Sequence, residues 1–203
     1  MASVQADDPQ RRADFYRRAG LLTGRTLRSV QYWDVLIEGS KNPRWDFGDW
    51  HHVEMGVELE TDVGPVTITW SNAFFPYGVD VFDGPMRTHF VGHSLTPIGP
   101  ALPGRCEGIL GTSVRSSSIM WETVSLGPGR LSDGTIVSSE SSFDLPLALR
   151  LDFDAGHVWF VVANPCPPEM KTAFAPGDEV MVVFTRERLS GLLGIDDGSP
   201  PAE

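Results

Sequence analysis

In the stretch Val53-Glu54-Met55-Gly56-Val57-Glu58-Leu59-Glu60 every odd position is apolar and every even one is Glu or Gly. That period of two marks a half-buried strand. Val66, Ile68 and Trp70 repeat it, and between the runs lies Thr61-Asp62-Val63-Gly64, a short polar segment whose Gly can take a positive φ. The two runs therefore pair as an antiparallel hairpin. One of its faces is core. On the other, alternation puts His52, Glu54, Glu58 and Glu60 in one row beside Thr67 and Thr69 of the partner strand. Val79-Asp80-Val81-Phe82 supplies a third strand and makes a meander. Ahead of it, Trp45-Asp46-Phe47-Gly48-Asp49-Trp50 is a tight connection in which the Asp side chains bond the local backbone. Trp45 and Trp50 there are pegs closing the end of the β-structure or a platform for a ligand.

Working outward, Asp7 or Asp8 can cap a helix that has Pro9 at its first position and runs to about Ala19 within an amino-terminal segment 1–24. Its arginines are expected on a solvated face. Residues 26–37 are rich in β-branched and aromatic types (Val30, Tyr32, Trp33, Val35, Ile37), as in a strand covered on both faces or bulged, and Gly39 to Pro43 form a turn. Residues 83–113 carry ten Gly or Pro and no sustained period, so they are expected as one long connection. Further strands are expected at 119–126, at 147–153 turning through Ala155-Gly156 into 157–163, and at 179–185. The apolar run 157–163 belongs at the centre of a sheet. Thr185 caps a short carboxy-terminal helix, and 196–203 is an acidic tail expected to fray. The whole reads as mainly β (α+β): one domain over 1–203, an antiparallel β-sandwich or open β-barrel of about eight strands with a helix at each end.

The 203 residues, 41% hydrophobic and 21% charged, suit a folded protein. The formal charge of −11 is uneven, with +3 in residues 1–28 and −14 beyond. Such a field repels phosphate backbones, so no nucleic-acid partner is expected. The first residues lack the apolar run of a signal peptide and no stretch approaches a membrane span, which implies a cytoplasmic protein without a membrane partner. Cys106 and Cys166 show no CxxC spacing and are expected as reduced thiols.

The densest chemistry is His51-His52 with Glu54 and Glu58. His52, Glu54 and Glu58 are the candidate catalytic residues, because an imidazole and two carboxylates on one face can serve in acid–base work or hold a metal. The spacing His52-x-Glu54-x-x-x-Glu58 resembles, over seven residues, the ligand run of cupin barrels, with Glu54 where the second His would stand and no second cupin motif following. The simplest reading of the row is a solvated outer face. His89 and His93, spaced i, i+4, can meet on one face only if the Gly-rich loop around them is helical. With Trp45, Trp50, Glu60 and Trp70 they complete the candidate binding residues. No Walker loop, Rossmann glycine pattern, HExxH or EF-hand loop occurs, so neither a cofactor nor a resident metal is expected. An acidic β-domain without a legible active site fits a binding protein, an inhibitor or immunity-type partner of a basic protein. The alternative is a small enzyme with a pocket walled by Trp50, Trp70, Trp121 and Trp159 and served by the His52 and Glu54 row.

Overall fold

The structure, a computed structural model, describes residues 9–35, 45–74, 76–92, 94–99, 104–129, 131–136 and 141–194. Helix α1 (Pro9–Gly20) precedes β1 (Leu27–Val35), β2 (Trp50–Val53), β3 (Gly56–Thr61), β4 (Pro65–Ser71) and β5 (Gly78–Asp83). A single helical turn α2 (Met86–His89), β6 (Leu95–Gly99) and a 3-10 helix at Gly104–Ile109 follow. Then come β7 (Ser116–Leu126), β8 (Ser141–Phe153), β9 (Gly156–Val162), the two-residue strands β10 (Asn164–Pro165) and β11 (Ala173–Phe174), β12 (Val180–Val183) and α3 (Arg186–Leu193).

The strands form two antiparallel five-stranded sheets, ordered β5-β4-β3-β1-β6 and β2-β12-β9-β8-β7. The meander is present in the expected register, with Glu58 opposite Thr67 and Thr69 opposite Asp80. The run 157–163 is central: β9 lies third of five and Val158 to Val162 are all buried. One continuous core takes Val57, Leu59, Val66, Ile68, Val79 and Val81 from the first sheet and Leu149, Leu151, Phe160 and Val182 from the second. This is a sandwich; the described strands do not close into a barrel.

The chain crosses between the sheets inside the opening stretch. Val53 ends β2 on the second sheet and Gly56 begins β3 on the first, so 53–60 is two strands and a corner. Gly56 makes the corner feasible. Its φ of 143° is strained for a side-chain-bearing residue, and a Cβ there would run into the Ile68 carbonyl oxygen. Burial still alternates through the corner, because Val53, Val57 and Leu59 turn into the main core and Met55 into a second, smaller cluster.

Part of the outer face of the first sheet is covered, and there the solvated reading of the row is corrected. Thr67 and Thr69 are 0% exposed. The second, smaller cluster of Trp33, Met55, Met86 and Leu95 lies there, the last two supplied by the segment 83–113. That segment is not one structureless connection: α2 and β6 lie within it. β6 escapes a periodicity search because Pro97 interrupts it, a residue tolerated since β6 is an edge strand paired only with β1.

Helix α1 packs against β5 and β7 through Phe15, which meets Phe74 and Trp121 edge-on with ring centroids 5.6 and 6.1 Å apart. Its arginine face is only partly solvated. Arg18 bonds Asp80 at 2.7 Å and the Val81 carbonyl at 2.9 Å, and Arg12 reaches Asp144. Thr185 caps α3 as expected, accepting from the Arg188 N–H. The expected cap at Asp7 or Asp8, the turn at 39–43, His93 and the tail 196–203 lie outside the described residues. No described helix is long and apolar enough to cross a membrane.

Candidate functional site

The corner distributes the His/Glu row between two sheets. His52 lies on β2 opposite Met181, and its Nε2 is 2.6 Å from Glu179 Oε2 just ahead of β12. Glu58 lies on β3, where its Oε2 accepts a 2.7 Å hydrogen bond from the Met86 N–H at the start of α2. A carboxylate suits the exposed N–H groups of a helical first turn, which Pro85 does not cap with a side chain. Glu60 is half-buried further along β3, opposite Ser29 and Pro65. His52 and Glu58 are therefore each engaged with a different neighbour, and the seven-residue spacing spans a change of sheet. Among the described residues no group of three or more His, Cys, Asp or Glu side chains could hold a metal ion.

Glu54 has a partner that sequence reading missed. Asp34, 4% exposed near the end of β1, hydrogen-bonds its carboxyl to that of Glu54 and accepts from its own neighbour, the Val35 N–H, at 2.8 Å. Burial raises the Asp34 carboxyl to about 8, helped by the bond to Glu54 and by repulsion from Glu54 and Glu179. Asp34 is thus protonated at neutral pH and able to donate to Glu54. The signal was present: Asp34 is the one acidic residue of β1 and directly follows the aromatic pair Tyr32-Trp33.

A second polar string crosses the core. The Tyr32 hydroxyl is 2.7 Å from His51 Nδ1 and 3.9 Å from Cys106 Sγ, while His51 Nε2 is 3.6 Å from Asp46. The imidazole is packed among Tyr32, Trp45 and Phe184 at centroid distances of 5.5, 5.0 and 4.7 Å. Burial lowers its pKa to about 4 and raises those of the Tyr32 hydroxyl and the Cys106 thiol, so all three are neutral. The string lies against a cavity bounded by Leu59, Phe160 and Val182 with room for about one water molecule. Trp45 half-covers His51 and packs against Gly99, and Trp50, 1% exposed, stacks on Phe47 at 4.3 Å. Both sit as pegs.

The four tryptophans of the expected pocket have separate surroundings: Trp50 with Phe47, Trp121 with Phe15 and Arg12, Trp159 with His157 and Arg150. Trp70 alone of them lines the groove that runs between the β4–β5 connection and α2. This groove is open to solvent, has a volume of about 330 Å³, and joins Trp70 with His89, two residues picked from sequence. Tyr77, Phe82 and Phe90 complete its aromatic walls, with Ser71 and Asn72 between them. Trp70 and Tyr77 meet edge to face at 5.5 Å and 85°, and Phe82 lies 4.9 Å from the His89 ring. The Trp70 indole N–H donates at 2.9 Å to the Glu54 carbonyl, which ties the groove to the corner. Tyr77, Phe82 and Phe90 went unnoticed because their meeting depends on α2 folding back over β5. No family model, curated protein or solved structure matches this chain.

Proposed function

We propose that the protein is an acidic binding protein whose partner is a basic protein, in the manner of an inhibitor or immunity partner. The observation that carries this reading is the engagement of the presumed acid–base residues elsewhere: His52 is bonded to Glu179, and Glu58 holds the first turn of α2. What remains accessible is an acidic surface, formal charge −11 overall, with an open aromatic groove in it. Such a surface steers a cationic partner and rejects anionic ones. A cytosolic setting belongs to this reading and suits the two free thiols. The test is calorimetric titration with an octa-arginine and an octa-glutamate peptide at low and high salt. Binding of the basic peptide alone, weakening with salt, is the expected result; no binding, or equal binding of both peptides, overturns it.

A second reading, a small enzyme, draws on one observation, the proton held between Asp34 and Glu54 beside the His52–Glu179 pair. Here Asp34 is the general acid. A panel of ester, phosphoester and glycoside substrates tests it, with turnover in the wild type that Asp34→Asn abolishes as its signature.

A further inference from the structure

The aromatic groove combines ring faces with an oxygen acceptor in a strongly acidic chain, a setting suited to a cationic occupant. Trp70 gives its indole N–H inward to the Glu54 carbonyl, leaving its π-system as the recognition surface. Ser71 gives its hydroxyl proton inward to Asp80 Oδ2 at 2.9 Å; Asp80 is 2% exposed and is held on its other oxygen by Arg18. The Ser71 oxygen already accepts from the Ala73 N–H at 3.1 Å and keeps only acceptor capacity toward a ligand. Among the described residues no arginine or lysine lines the groove. The walls offer aromatic faces, which carry negative quadrupole charge, the Ser71 oxygen as an acceptor, and the side chains of Asn72, Tyr77 and His89, which can both donate and accept. A ligand that brings donors and a positive charge is complementary to the aromatic faces and to the acceptors among these groups. Arginine is that side chain, a planar fork of five N–H donors with no acceptor. The same chain holds guanidinium groups over its rings elsewhere, Arg12 at 3.9 Å above Trp121 and Arg87 at 4.7 Å above Trp33.

We infer that this groove is the seat of an arginine side chain presented by the basic partner. The inference rests on the binding-protein reading and adds the residue and the place. The acidic charge of the whole chain favours approach of the cation, and the groove then fixes one guanidinium against Trp70, Tyr77 and the Ser71 oxygen.

Calorimetry with three probes tests it: a short arginine-containing peptide, the same peptide with citrulline in place of arginine, and a neutral disaccharide. Citrulline keeps the shape and removes the charge. The variants are Trp70→Leu and, because the Trp70 indole also anchors the corner, Tyr77→Leu, each checked for folding by circular dichroism. Expected is binding of the arginine peptide, about tenfold weaker binding of the citrulline peptide, no binding of the sugar, and about a fivefold loss in Tyr77→Leu. Equal affinity for the citrulline peptide, or preference for the disaccharide, overturns the inference in favour of a neutral planar or sugar ligand. Undiminished binding of the arginine peptide by a folded Tyr77→Leu protein overturns the site and leaves the binding-protein reading standing. Failure of the wild type to bind either the arginine peptide or octa-arginine removes both.

Discussion

The outer face of the first sheet has two halves that sequence alone would treat alike. Under α2, the residues Trp33, Met55, Met86 and Leu95 form a dry cluster and Glu58 is tied to the Met86 N–H. Beyond α2, toward the β4–β5 connection, Trp70, Tyr77 and Phe82 stand around an open groove. Both halves combine aromatic side chains with polar groups. The halves meet at Trp70 and Phe90, which pack against the cluster and also line the groove, and they differ in how the chain after β5 runs: it lies over one half and only walls the other. A polar row on a strand therefore says little about function until its cover is known, and here the covered half is structure while the uncovered half is available to a ligand.

Changes in the covered half should act on stability. Met86→Ala removes the fully buried centre of the small cluster and should cost about 3 kcal/mol in urea denaturation, within the usual range for truncating a buried Met. A cost near that of a surface change would mean that α2 does not cover the sheet.

The pH dependence of stability sharpens the same contrast, because the corner beneath this cover holds a protonated acid. Asp34, raised to about 8 in the fold against an ordinary value of 3.8, keeps a proton that the unfolded chain releases. Its contribution is full below the ordinary value and is lost as pH rises through about 8. His51, lowered to about 4 against 6.5, acts in the opposite sense: its contribution is present above 6.5 and is lost as pH falls toward 4. The two oppose each other between 4 and 6.5, and above 6.5 Asp34 dominates. The denaturation midpoint should therefore fall as pH rises from 6.5 to 8, and Asp34→Asn should flatten that slope. A wild-type midpoint rising through this window would contradict the buried carboxyl pair.

Glu58→Gln keeps an acceptor for the Met86 N–H and removes its charge, so about 1 kcal/mol of stability should be lost, with binding of basic peptides unchanged. Smallest is the effect of Tyr77→Leu on folding, no more than about 0.5 kcal/mol, since Tyr77 borders open space. A large loss there would make the groove part of the structural half.

The hairpins were legible because alternation and turn residues are local signals: 65–69 pairs with 56–60, the part of the first run beyond the corner, and 148–153 pairs with 156–161. The corner was not, since Gly56 occupies an even position and leaves the period intact while the backbone changes sheet. Nor was the engagement of Glu58 and His52, because their partners Met86 and Glu179 lie 28 and 127 residues away. Of the groove, Trp70 and His89 stood out as aromatic and imidazole residues next to a Gly/Pro-rich segment. Their companions Tyr77, Phe82 and Phe90 carried no signal of their own. The tight cluster of Tyr32, His51 and Cys106 was invisible for the same reason, three residues from three elements meeting only in the folded core.

The most direct measurement follows the six tryptophan indole N–H signals by two-dimensional NMR while an arginine-containing peptide is added. Trp70 borders the groove and Trp33 lies beneath α2. The division of the outer face into a covered and a binding half requires the Trp70 signal to move with peptide concentration while the Trp33 signal stays in place. Movement of Trp33 with Trp70 unchanged, or a titration in which none of the six signals shifts, would contradict it.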